Sequence, residues 1–301
     1  MKFRGMKAAT SAILQSPESG KPLSLSSVSL QGDETWEGKL SCQDEVWPIK
    51  EGIADLVSPL ELSASDARFR EEYNVGSARY QEGMDWLFNA FYEDEGKVRN
   101  QMTKTLNSQG PELILDLGCG TGKDAECIIN HNPQCRVILA DLSIGMLAEA
   151  KKNLTAYKEQ TDFLLCNGSH LPFQDSVFDR LFHFGGINEF GEKQRAIEEF
   201  NRVVKPGGKV VFGDEGVAPW LAQKEYGDIL KAANPLYAHE PPLADLPAGA
   251  SNVKIHWIMG NAFYLIEFEK AEGPPPLNTE LTIPGKRGGT LASRYRDSKK
   301  N

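Results

Sequence analysis

The residues best equipped for chemistry lie together in Ile114-Leu115-Asp116-Leu117-Gly118-Cys119-Gly120-Thr121-Gly122. Glycine at every second position lets a ligand approach the backbone where a Cβ would clash, and it permits positive φ in a tight turn. A dinucleotide site spaces its glycines as G-x-G-x-x-G and receives a pyrophosphate. Here the spacing is G-x-G-x-G, and an acid, Asp116, precedes it. A carboxylate there repels a pyrophosphate and suits a ligand with a cationic end. Further along, His183, Glu189, Asp214 and Glu215 are candidate acid–base groups. Histidine titrates in the useful range. The bland readings are a histidine bonded to a carbonyl, an acid stabilising a helix N-terminus, and two acids that begin a loop.

These residues need elements to position them. Residues 113–117 form a short apolar run ending in glycine, a buried strand followed by a turn. Helix is expected over 124–131, strand over 136–140, and helix over 144–157 with Ser143 as N-cap. Strands follow at 162–166 and 178–182, then an amphipathic helix at 192–204 stopped by Pro206-Gly207-Gly208, then a strand at 209–213. This βαβα order demands a mostly parallel sheet covered on both faces, with ligands beyond the carboxyl ends of its strands. Residues 220–233 read as helix, and 253–259 with 263–269 as an antiparallel hairpin across Gly260-Asn261. Upstream, 68–73 and 84–106 carry helix-period apolar positions. The chain thus divides into a Ser/Gly/Pro-rich region (1–60), a helical cap (61–110), an α/β core (111–272) and a peripheral arm (273–301). Short apolar runs at 23–30, 46–49 and 53–57 suggest small strands in the first region.

Asp116 through Gly122 resembles motif I of class I methyltransferases that use S-adenosylmethionine (SAM). Asp141 stands where that family places an acid on the ribose hydroxyls, and Leu142-Ser143-Ile144-Gly145-Met146-Leu147 resembles the continuation whose apolar side chains flank the adenine. Residues 166–173 resemble its third motif, with Asn167 in place of the usual Asp, which keeps an acceptor for the adenine amine but removes a charge. Residues 203–210 match the segment entering the fifth strand, so the resemblance covers roughly 110–215. It implies a Rossmann-like, seven-stranded, mostly parallel sheet with an antiparallel C-terminal hairpin. SAM would be held by Tyr73, Asp116, Gly118, Cys119, Gly120, Gly122, Asp141, Leu142, Met146, Asn167, Gly168 and His183. Tyr73 and Tyr80 precede the core as aromatics do in the quinone-biosynthesis methyltransferases, whose N-terminal helices cap the pocket. Catalysis would fall to His183, Glu189 and Asp214, moving the methyl group in line to an oxygen, nitrogen or carbon of a small molecule. The alternatives are an RNA methyltransferase and a SAM-binding partner subunit without transferase activity.

The first sixty residues hold a further pattern. Leu14-Gln15-Ser16-Pro17-Glu18-Ser19-Gly20-Lys21-Pro22-Leu23 resembles one zinc-ribbon knuckle with both cysteines written as serine. Residues 40–49 resemble the second knuckle, keeping Cys42 but carrying Glu45 at the other position. The resemblance is to ribbons that activate tRNA and release-factor methyltransferases. Zinc requires four good ligands; one remains, so a ribbon without metal is expected.

The 301 residues carry 33 Lys and Arg against 42 Asp and Glu, a net charge of −9. Such a chain repels phosphate backbones unless its cations are concentrated. Only Lys286-Arg287 and the last residues around Arg294–Lys300 are locally basic, so nucleic acid is disfavoured as a partner. No stretch approaches the ~20 apolar residues of a membrane span. The N-terminus lacks the continuous apolar core of a signal peptide. Five scattered cysteines suit a reducing compartment, with cytoplasm as the expected location.

Overall fold

The computed structural model describes residues 5–57, 62–285 and 288–300; the basic pair Lys286-Arg287 lies outside the described residues. A short helix α1 (Ala8–Ser11) precedes strands β1 (Ser24–Gln31), β2 (Glu34–Cys42), β3 (Glu45–Lys50) and β4 (Ile53–Asp55). Three helices follow: α2 (Ala64–Gly76), α3 (Tyr80–Ala90) and α4 (Glu95–Lys104). The alternating part runs β5 (Leu113–Leu117), α5 (Lys123–His131), β6 (Arg136–Asp141), α6 (Ile144–Asn153), β7 (Thr161–Leu165), β8 (Phe178–Phe184), α7 (Lys193–Val203) and β9 (Val204–Glu215). Helix α8 (Glu225–Ala233), the hairpin β10 (Ala250–Ile258) and β11 (Phe263–Lys270), and an exposed helix α9 (Leu291–Ser298) complete the chain.

The expected seven strands become eleven, in one sheet of order β1-β2-β3-β4-β7-β6-β5-β8-β9-β11-β10. Strands β5 to β11 are the seven expected, and the additional four are N-terminal. Strand β4 joins by lying parallel to β7, pairing Ala54 with Leu164 and Asp55 with Leu165. The pairs from β7 through β9 are all parallel, and β11 closes antiparallel on β9. Without β4, β7 would be a bare sheet edge, a template for unwanted pairing.

Alternate residues of the central strands enter two cores, as the period of two requires. Leu115, Ile138 and Ala140 face one side with Phe200 of α7, while Ile114, Val137 and Leu139 face the other with Ile128 of α5 and Leu147 of α6. The first core runs without interruption into Leu40, Trp47 and Ile49 of the N-terminal strands. Helix α7 buries Ala196, Ile197, Phe200 and Val203, the stripe its sequence specifies.

Three local expectations change. The helix over 84–106 is two helices, broken where Tyr92 takes φ 55° and Asp94 caps α4 through the Lys97 amide at 2.8 Å. Helix over 220–233 begins only at Glu225, because the chain first turns back with Leu221 and Ala222 donating to the Ala218 carbonyl. The interior of β2, rich in Glu, Gly, Lys and Ser, has no apolar run and was not expected as a strand. Residues Ser16, Ser19, Cys42 and Glu45 meet at the β2–β3 turn. Ser16 and Ser19 donate their hydroxyls to Glu45, and Cys42 pairs with Glu45 across the β2–β3 turn. Among the described residues no group of three or more His, Cys, Asp or Glu is placed to hold a metal, and no helix is long and apolar enough to cross a membrane.

Candidate active site

The chain order reverses at β5, with β6 on one side and β8 on the other, and a cavity opens beyond the strand ends there. Its floor is the turn after β5. Gly118 and Gly120 take φ of 62° and 51°, and a Cβ on Gly118 would stand 3.1 Å from the His183 ring. Asp141, at the end of β6, accepts the Gly120 amide at 2.9 Å and the Ser143 amide at 2.8 Å. Burial raises its pKa, opposed by those amides. Leu142, Met146, Phe69 and Phe190 give its lining apolar surface. Gly168 is required by close packing: a Cβ there would lie 2.5 Å from Phe190.

Asn167 shows what the sequence alone could not. Its carbonyl oxygen takes the Ser169 amide at 2.9 Å, and its amide donates to Asp66 at 3.3 Å. Asp66, from the first turn of α2, is buried and lines the cavity. A carboxyl group from α2 thus stands beside Asn167 in the cavity lining. Asp66 also accepts the Ser63 hydroxyl at 2.8 Å and the Gly191 amide at 3.1 Å, tying α2 to the segment that follows β8. The only sequence signal was Ser63-x-x-Asp66, an ordinary helix start.

A second cavity adjoins the first, sharing Tyr73, Tyr80, Gly118, Gly120 and Glu189. Its walls are Met84, Leu87 and Phe88 of α3, Phe184 at the end of β8, and Met259 and Phe263 of the hairpin. The Tyr73 hydroxyl donates to Glu189 at 3.1 Å, and the rings of Tyr73 and Tyr80 meet edge to face with centroids 6.2 Å apart. Burial, helped by the Asp214 charge, pushes the Glu189 carboxyl up to about 7. Burial, then Asp214, pushes Glu215 up to about 10.

Of the residues singled out by sequence, Tyr73, Gly118, Gly120, Asp141, Leu142, Met146, Asn167, Gly168 and His183 line the first cavity, and Cys119 lines the second. Three do not reach either. Asp116 is buried near the end of β5, and burial, then the neighbouring Asp124, raise its pKa. Gly122 starts α5, where a Cβ would collide with Leu154 at 2.7 Å, so it serves helix packing. Asp214 is buried and accepts the amides of Gly186 at 3.1 Å and Asn188 at 2.7 Å, clamping the loop that carries Glu189. His183 is fully buried, with Nδ1–H donating to the Leu117 carbonyl at 2.8 Å, and burial lowers its pKa. Its Nε2 has no hydrogen-bond partner among the described residues.

The cavity suits SAM. Glycine backbone provides the cradle, Asp66, Asp141 and Glu189 give a net negative wall for a cationic ligand, and His183 Nε2 is a buried acceptor lacking a donor. A pyrophosphate would meet the same carboxylates unfavourably.

Residues 114–208 match the family described as "Methyltransferase domain". The chain is 33% identical to the ubiquinone/menaquinone biosynthesis C-methyltransferase UbiE of Cupriavidus pinatubonensis, over 38% of this chain and 54% of that protein. It is 34% identical to a human protein named "Probable tRNA methyltransferase 9B", over 40% of this chain and 26% of that one. The chain spans about half the length, or less, of these curated relatives. A solved structure of phosphoethanolamine N-methyltransferase 2 from Haemonchus contortus with SAM shares the fold, with a TM-score of 0.54 at 15% identity over 75% of this chain and 62% of that one.

Proposed function

We propose that this chain, whose residues 114–208 match a methyltransferase domain, is a class I SAM-dependent methyltransferase that transfers the methyl group of SAM to a small molecule held in the second cavity. The observation that carries this reading is the pair of adjoining cavities with Glu189 on the wall between them. Bound SAM supplies an electrophilic methyl group on a sulfonium, so alignment matters more than activation. Glu189 is the group we assign to receive the acceptor's proton, since a base works best with a pKa near the working pH. His183 serves the cofactor wall rather than the proton transfer, because it lines the first cavity and not the second. Asp214 holds the loop at 185–188 in place.

Helix α2 and its neighbours act as the cap on this site, the region 111–272 as the catalytic core, and 273–301 as a peripheral arm. The hydrogen-bonded knot of Ser16, Ser19 and Glu45 stands where a ribbon would hold its metal. Protein purified without chelator should contain no stoichiometric zinc; about one zinc per chain would overturn that reading.

The test is conversion of SAM to its demethylated product with a panel of phenols, amines, quinones and a short RNA. Turnover with a small molecule and none with RNA is expected. SAM binding without turnover of any acceptor would favour the partner-subunit reading instead. Methylation of the RNA alone would favour the RNA-modifying one.

A further inference from the structure

The second cavity states what kind of acceptor it admits. Its walls of Met84, Leu87, Phe88, Phe184, Met259 and Phe263 offer apolar and aromatic surface. Two cations border it, and both are committed. Arg99 donates to Glu95 at 2.8 Å and to Asp124 at 2.6 Å, and Lys123 donates to the other oxygen of Glu95. Two cations thus face two carboxylates, leaving no positive charge to receive an anion. The remaining carboxyl groups in its lining are Glu189 and Glu215; the other ionisable groups, Tyr73, Tyr80 and Cys119, are neutral in their ordinary state and supply no cation. Glu215 adjoins Asp214, whose oxygen already accepts the Glu215 amide at 2.9 Å, so the two carboxyls share a crowded, buried corner. One of them keeps its proton there, because like charges that close cannot both ionise.

We propose that the acceptor is an uncharged, ring-bearing or otherwise apolar molecule presenting a hydroxyl or neutral amine to Glu189, and that the cavity rejects carboxylate and phosphate acceptors. This rests on the methyltransferase reading above. The step balances. The acceptor's X–H proton passes to a Glu189 oxygen, the new X–C bond forms as the C–S bond breaks, and sulfur keeps the electron pair. A carboxylate anion and a sulfonium become a neutral acid and a neutral thioether. Charge disappears, and a desolvated cavity favours such a step over water. An anionic acceptor would instead meet Glu189 with no free cationic side chain to offset it.

The test uses the full chain saturated with S-adenosylhomocysteine, titrated with 4-ethylphenol, 4-ethylaniline, 4-ethylbenzoate and 4-ethylphenyl phosphate at pH 7.5. The phenol or aniline should bind at least tenfold tighter than either anion. In Glu189→Gln the gap should narrow by tenfold or more, because the repelling charge is gone. Equal or tighter binding of the benzoate or phosphate overturns the inference, as does failure of all four to bind while the homocysteine product binds. Failure of S-adenosylhomocysteine itself to bind would instead remove the methyltransferase reading on which the inference stands.

Discussion

In the proposed reaction Glu189 receives the acceptor's proton. Burial raises its carboxyl to about 7, so the ionised, proton-accepting form grows as pH rises through that value. Turnover at saturating SAM should climb with pH around a midpoint near 7, and Glu189→Gln should lower kcat by about 100-fold or more and flatten that limb. A variant with unchanged kcat and an unchanged pH profile would remove Glu189 from the chemistry. Asp66 makes a second residue-scale case. Its carboxylate stands beside Asn167 at the wall where the adenine is expected, so Asp66→Asn keeps the shape and removes the charge. Loss of a charged hydrogen bond costs about 1.5–3 kcal/mol. Calorimetry should then show SAM binding weakened by roughly tenfold or more, with α2 amides exchanging faster; unchanged affinity would contradict the role. At this scale the sequence was informative where backbone geometry is local. Gly118 and Gly120 act within one turn of the chain, and Asp141 meets the Gly120 amide from the end of the neighbouring strand, 21 positions on. Asp66 was invisible because its partner lies 101 positions away, and Asp116 and Asp214 were misjudged because spacing does not say which way a carboxylate faces.

The elements were legible in proportion to their periodicity. Helix α7 and strands β5 to β8 follow strong patterns, and their order dictates a parallel sheet. Strand β2 is polar along its interior and escaped notice, since it depends on partners on both sides rather than on its own residues. Strands β9, β11 and β10 carry a separate electrostatic device. Glu267 of β11 is buried and receives Lys209 from β9 and Lys254 and His256 from β10. Burial alone would raise its pKa, yet these partners hold it at about 2. A folded-state pKa below the unfolded one, ~4.3, contributes stability that is fully present above that value and fades as pH falls toward 2. Glu267→Gln should cost about 3 kcal/mol at pH 7, leaving Lys209 buried without its partner. In urea unfolding the gap between wild type and variant should shrink between pH 4.5 and 2.5; a gap independent of pH would contradict the assignment.

At the scale of the whole molecule, strands β1 to β4 and strands β5 to β11 share one sheet, and the N-terminal strands enter both hydrophobic cores, Trp47 and Ile49 in one and Ile53 in the other. Trp47 is fully buried in that shared core, far along the sheet from the glycine loop. A continuous core unfolds as a unit. Scanning calorimetry should show one transition, lowered by Trp47→Ala, whose cost should be about 3–5 kcal/mol; a separate N-terminal transition would contradict the shared core. Composition signalled the change of character near residue 60 but not that both parts build the same sheet, because that union depends on β4 meeting β7, more than a hundred residues later. The central claim concerns the site this union frames. It is tested most directly by titrating the full chain with S-adenosylhomocysteine in a calorimeter. The account predicts saturable binding at one site per chain; no heat and no binding up to millimolar concentration, from protein shown to be folded, would contradict it.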